Sequence, residues 1–129
     1  MFKAVAAFSG FSVDDTVKVK EFYTNTLGLE LINEDMGMQL RLPGGGEVFV
    51  YSKPDHRPAD YTMLNFVVEN IDSAVDELVS AGVSFERYEG MPGEQDERGI
   101  MRGLAAGQGP DIAWFKDPAG NILALLQPE

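Results

Sequence analysis

Few residues of this sequence carry chemistry. It holds one histidine, His56, and no cysteine. Transition-metal sites draw on imidazole, thiolate or clustered carboxylate, so a single imidazole flanked by prolines reads as a surface histidine. Ser9, Ser12, Ser52, Ser73, Ser80 and Ser84 stand outside any G-x-S-x-G elbow. The acidic pairs Asp14-Asp15 and Asp96-Glu97 would point to opposite faces of a strand. Only in a loop would they converge on magnesium, and nothing else supports that; no calcium loop is present. Gly44-Gly45-Gly46 lacks the Lys-Ser/Thr of a phosphate loop and reads as a hairpin turn. No metal and no cofactor is expected from the residues alone.

Length and charge bound the rest. A chain of 129 residues is one domain with a real core, and 44% hydrophobic content is ordinary for a soluble protein. No apolar run reaches the ~20 residues of a membrane-crossing helix. The N-terminal stretch MFKAVAAFSGFSVDD makes a poor signal peptide, and the expected location is cytoplasmic. With 21 acidic and 10 basic residues the formal charge is −11. That charge argues against nucleic acid and anionic membranes as partners. It serves solubility, or it creates a field that favours cationic ligands.

The elements that position these residues come in two similar runs. Residues 2–13 read as a strand, Asp15 caps a helix over Thr16–Leu27, and Gly28 stops it. Val19, Phe22, Tyr23 and Leu27 form the buried stripe of that helix. LELIN, MQLRL and EVFVYS follow as strands, the last two joined by PGGG. The order then repeats. Residues 62–68 read as a strand, and Asn70 caps a helix over Ile71–Ala81 with Ile71, Ala74, Val75 and Leu78 inward. VSFERY, GIMRGLAA, DIAWF and NILALLQ follow as strands. The two proposed caps lie 70 − 15 = 55 residues apart, the offset of two copies of one βαβββ unit. Module 1 covers about 2–53, a polar joint about 54–61, and module 2 about 62–129. The stretch 86–99 carries five acidic residues, as a solvated loop or as a cover over a binding site.

In this order the residues resemble a family. Val13-Asp14-Asp15, Val19-Lys20-Glu21-Phe22-Tyr23 and Leu27-Gly28-Leu29 are similar to the first module of the vicinal oxygen chelate superfamily, which includes glyoxalase I, extradiol dioxygenases and the bleomycin- and fosfomycin-resistance proteins. Asn65-Phe66-Val67-Val68-Glu69-Asn70-Ile71 and Leu78-Val79-Ser80-Ala81-Gly82-Val83 match the start of the second module. Phe115-Lys116-Asp117-Pro118-Ala119-Gly120-Asn121 resembles the closing hairpin. The resemblance implies an α+β fold: two βαβββ modules forming an open, barrel-like sheet around a cavity, with helices on the outer side.

Metal-using members direct His, Glu or Gln into that cavity from four strand positions. Carried over, these fall on Phe8, Val50, Met63 and Ala124. Their neighbours Ala7, Ser9, Phe49, Tyr51, Thr62, Leu64, Leu123 and Leu125 are also poor ligands. The resemblance therefore implies a member without the metal site, and glyoxalase or dioxygenase chemistry is set aside. Strand alternation adds Ala6 and Gly10 to the face of Phe8, Val48 and Ser52 to that of Val50, and Asn65 and Val67 to that of Met63. It adds Ile122 and Leu126 to the face of Ala124. By resemblance Ile112 and Trp114 also point inward and Phe115 points outward under a helix; Met38 and Leu40 are rim candidates whose face nothing in the sequence fixes. Asn65 is a polar amide on this face, either hydrogen-bonded within the protein or touching ligand.

The expected function is a metal-free small-molecule binding protein of the glyoxalase/bleomycin resistance type, sequestering an aromatic or cationic ligand, as a homodimer. Its expected contacts are Phe8, Val50, Met63, Asn65, Ile112, Trp114, Ile122 and Ala124. One alternative is a metal-independent enzyme of lyase or isomerase type, with acid–base groups among Glu47, Tyr51, Asp96 and Glu97. The other is a non-catalytic dimerisation or interaction domain.

Overall fold

Asp15 and Asn70 act as the helix caps that the repeat requires. The computed structural model describes residues 1–90 and 93–129; Met91 and Pro92, within the acidic stretch, lie outside the described residues. Asp15 Oδ1 accepts from Val17 N at 2.9 Å, and Asn70 Oδ1 from Ser73 N at 2.9 Å. Each satisfies a main-chain donor that the first helical turn leaves open. Asn70→Ala is expected to lower stability by about 1 kcal/mol, read as a shifted urea midpoint with an unchanged m-value.

The chain forms two units, Met1–Pro58 and Ala59–Glu129, and the fold is α+β with two βαβββ-like modules. In the first unit β1 (Ser9–Val13) is followed by α1 (Thr16–Glu21), a π-helical turn (Phe22–Thr26), β2 (Glu30–Asn33), β3 (Met38–Arg41) and β4 (Glu47–Ser52). The sheet order is β1-β4-β3-β2, with β1 parallel to β4. In the second unit β5 (Thr62–Val67), α2 (Ile71–Ser80), β6 (Met101–Arg102), α3 (Gly103–Ala106), β7 (Asp111–Lys116) and β8 (Ile122–Gln127) give the order β5-β8-β7-β6. Again the first strand pairs in parallel with the last, so both units share one topology. Each sheet is open, and the β6 edge of the second carries a single bridge from Gln95 to Met101. No helix among the described residues is long and apolar enough to cross a membrane.

Each helix covers one face of its sheet. On the first sheet Phe11 pairs with Val50, and Val50 with Met38. These side chains are buried with Val13, Leu40 and Val48, and the Phe11 ring lies 5.9 Å from that of Tyr23 in the helical segment. On the second sheet Ala113, Phe115, Leu123 and Leu125 form the helix side. There Gln127 Oε1 accepts from Ile71 N at the start of α2.

Four expectations are corrected. The first strand begins at Ser9 rather than residue 2. Ser9 already pairs with Val48, one residue from the start of β4, so the residues before it have no partner strand. The α-helix expected over Thr16–Leu27 changes to a π-turn at Phe22, where Thr24 Oγ1 donates to Lys20 O and Leu27 N reaches back to Phe22 O. VSFERY makes no ladder, only a bridge from Phe85 to Phe115. The Gln95 side chain engages its main chain instead, accepting from Tyr88 N and donating to Glu86 O. GIMRGLAA contributes the two residues of β6 and then turns into α3. A Cβ on Gly103 would stand 2.4 Å from Pro110 O, and Asp111 Oδ1 holds Leu104 N at 3.0 Å.

Candidate functional site

The side of the second sheet away from α2 concentrates the apolar candidates. Across β7 and β8, Trp114 pairs with Ala124 and Ile112 with Leu126; on the other flank of β8, Asn65 pairs with Ala124. Register partners share a face. Asn65, Ile112, Trp114, Ile122 and Ala124 are therefore together, with Trp114, Ile122 and Ala124 buried as one cluster. Asn65 is exposed at its rim. The Trp114 indole N–H donates to Thr62 Oγ1 at 3.1 Å.

The other three candidates are placed differently. Phe8 lies before β1 and is 65% exposed. Val50 is fully buried, but on the α1 side of its sheet. The face it was expected to share with Phe8 instead carries Phe49 and Tyr51, which pair with Gly10 and Ser12. The expected anchor was wrong by one residue, and one residue reverses a strand face. Met63 is half-buried at a bulge, since Thr62 pairs with Ile122 and Leu64 with Leu123. Alternation counted from Met63 therefore does not fix its own face. Met38 and Leu40, expected at a rim, are buried core on the α1 side.

Sequence reasoning missed two residues that complete the cluster. Tyr88 packs edge-on against Trp114, ring centroids 5.7 Å apart, and Met101, the partner of Ile112, rests on the same group. A signal for Tyr88 existed: it stands three residues (88 − 85) after Phe85, whose ring meets Phe115 on the helix side. An odd offset in extended chain reverses the face. Met101 also lines an open cavity of about 740 Å³ with Glu94, Gln95, Asp96 and Arg102 among its walls.

Charge organises the cavity wall. Arg102 bonds Asp72 at 2.7 Å and Asp96 at 3.1 Å, while Arg98 bonds Asp72 at 3.0 Å and also Asp76. Asp96 further accepts from Arg98 N and Ile100 N. Asp96 and Arg98 of the acidic stretch are thus tied to β6 and α2. Hydrogen bonding from Arg102 holds the Asp72 carboxyl below its usual range. For Asp96, burial pushes upward, and the main-chain donors of Ile100 and Arg98 with Arg102 outweigh it. Both carboxyls are depressed on folding, so their contribution is fully present above the unfolded-state value of 3.8 and is lost as pH falls through the folded value. The thermal midpoint is expected to fall on acidification below that value, and less steeply in Asp72→Asn.

The remaining acid–base candidates do not converge. Glu47 is bonded to Gln39 and lies 3.9 Å from Arg41, Tyr51 stacks on Phe49, and Glu97 is exposed. His56 is half-buried rather than superficial, sharing a 2.7 Å hydrogen bond with Ser12 that ties the joint to β1.

The sequence model of the glyoxalase/bleomycin resistance protein/dioxygenase superfamily matches residues 5–125. No curated protein matches the sequence. Among solved structures, the chain is similar to TnmS3, an antibiotic binding protein from Streptomyces sp. CB03234, with a TM-score of 0.67 and 23% identity over 99% of this chain and all of that one (100%). The genomically encoded fosfomycin resistance protein FosX from Listeria monocytogenes gives a TM-score of 0.71 at 13% identity, covering 99% of this chain and 94% of the other. A superfamily member from Sphaerobacter thermophilus gives 0.66 at 24% identity, covering 95% and 98%. These likenesses share the two-module fold, and the match over residues 5–125 identifies the lineage: the chain belongs to the glyoxalase/bleomycin resistance protein/dioxygenase superfamily.

Proposed function

We propose that this protein is a metal-free small-molecule binding protein that holds an aromatic or cationic ligand on the apolar face of its second sheet and acts as a homodimer. The observation that carries the reading is the cluster of Trp114, Ile122 and Ala124, flanked by Tyr88 and Met101 beside a cavity of about 740 Å³. Apolar walls with a few polar groups are what small ligands use. In the cavity wall Asp96 is paired with Arg102, and Glu94 adds a preference for positive charge. The antibiotic binding and fosfomycin resistance proteins among the structural relatives support a small-molecule ligand.

The family's metal does not fit these residues. Phe8 and Ala124 offer no donor atom and Met63 only a thioether, while Val50 faces α1 and the opposite face of β4 carries Phe49 and Tyr51, neither an imidazole nor a carboxylate. Val50 and Ala124 are fully buried in apolar surroundings. Ions that polarise oxygen need imidazole or carboxylate at such positions. Among the described residues no three His, Cys, Asp or Glu side chains come together. Sequestration needs no catalytic group, whereas the enzyme alternative needs a proton-transfer pair, and Glu47 and Asp96 are engaged elsewhere.

Native mass spectrometry of protein never exposed to chelator tests the reading, with a panel of aromatic and cationic compounds. A dimer mass, an organic adduct, a changed Trp114 emission and a raised unfolding midpoint are expected. A stoichiometric metal ion on each protomer, or a panel that leaves emission and midpoint unmoved, would overturn it.

A further inference from the structure

The Tyr88 hydroxyl is buried without a hydrogen-bond partner, the one such side-chain atom among the described residues. Native proteins leave very few such groups, because each forfeits its hydration without compensation. The rest of the residue is fixed. Gln95 Oε1 takes the Tyr88 N–H at 2.7 Å, Gln95 Nε2 binds Glu86 O and Gly99 O on either side, and the ring stands edge-on to Trp114. The hydroxyl is thus held unpaired at the apolar cluster, while the neighbouring indole N–H is already used by Thr62.

We propose that Tyr88 is the polar anchor of the ligand site and donates its hydroxyl proton to a neutral acceptor, such as a ring carbonyl, on a planar aromatic ligand packed against Trp114. This deepens the binding reading and rests on it. Burial, then the nearby Glu86 charge, raises the Tyr88 pKa, which keeps the phenol protonated as a donor. A cationic centre at this point would have to shed its water among Trp114, Ile112 and Leu126, a cost that a phenol oxygen offsets poorly. The neutral arm of the ligand class is therefore favoured at the cluster, and positive charge belongs beside Glu94 in the cavity wall. Among the described residues Met101 is the one side chain common to the cluster and the lining of the large cavity. Being unbranched and adaptable, it is the group whose rotation opens the cluster to the cavity.

The test is titration of fluorenone, fluorene and N-methylacridinium into the wild-type protein and Tyr88→Phe, by calorimetry and Trp114 fluorescence. Wild type is expected to bind fluorenone about tenfold more tightly than fluorene, and Tyr88→Phe to erase that difference. Unliganded Tyr88→Phe should unfold at the same temperature or higher, because it removes an unpaired hydroxyl. Equal binding of fluorenone and fluorene, tighter binding of N-methylacridinium unaffected by the substitution, or a destabilised unliganded variant would overturn the role of Tyr88 and leave the binding reading standing. Failure of all three probes to bind either protein counts against the binding reading itself.

Discussion

Replacing Trp114 with alanine is expected to cost about 3–5 kcal/mol of folding stability and to abolish the proposed ligand binding. Trp114 is only 7% exposed, in the middle of β7. Its register partner Ala124 is small, so the indole fills the space that the strand opposite leaves open. Tyr88 leans on it from the side, and Thr62 accepts its N–H. None of these neighbours can collapse into the void: Ala124 lacks the length, and Tyr88 is held at its main chain by Gln95. Residual cavity adds to the lost transfer energy, and for a domain of this size the loss corresponds to roughly 10–20 °C in thermal midpoint. Trp114→Phe keeps most of the apolar area and leaves half-buried Thr62 able to reach water, so it is expected to cost about 1–2 kcal/mol. Urea denaturation of both variants checks the pair. A loss below about 1 kcal/mol in Trp114→Ala would mean that the cluster is not a packed site at all.

The repeat, both caps, α2 and the strands β2 to β5, β7 and β8 were legible because each depends on local chemistry. An Asx cap, a glycine stop and a run of alternating side chains announce themselves within a few residues. What was not legible depends on distant partners. The extent of β1 is set by where β4 begins, and the fate of VSFERY by the side chain of Gln95. The same division holds for the site. Ile112, Trp114, Ile122 and Ala124 were grouped correctly on one face because β7 and β8 form an unbroken hairpin register. Val50 was assigned to the wrong face because its position was carried over by resemblance, and the PGGG turn before β4 fixes its pairing with β3 but not which face meets α1. Met63 failed as an anchor because a parallel bulge is silent in sequence. Tyr88 was missed because its face follows only from the contact of Phe85 with Phe115, a distant partner.

Asp117→Ala is expected to be nearly as damaging as loss of Trp114, at about 3–5 kcal/mol, although Asp117 lies in the turn between β7 and β8. It opens the turn Asp117-Pro118-Ala119-Gly120-Asn121 and is 4% exposed. One carboxylate oxygen accepts from Ala119 N at 2.8 Å and Asn121 N at 2.9 Å, and the other from Asn121 Nδ2 at 3.0 Å. Asn121 is itself buried, and alanine at 117 would remove the carboxylate that its N and Nδ2 both use; a charged acceptor is the strong kind to lose. Gly120 supplies the positive φ of 88° that closes the turn. The hairpin sets the pairing of Lys116 with Ile122, and through it that of Trp114 with Ala124. A slip of one residue would turn Trp114 to the α2 side, which makes the turn the device that aims the site. Asp117→Asn keeps one acceptor oxygen in place and is expected to recover more than half of the loss. If both variants unfold together, both oxygens are required to hold the turn. If neither costs more than about 1 kcal/mol, the main-chain bonds from Asp117 N to Asn121 O and from Gly120 N to Asp117 O suffice to fix the register.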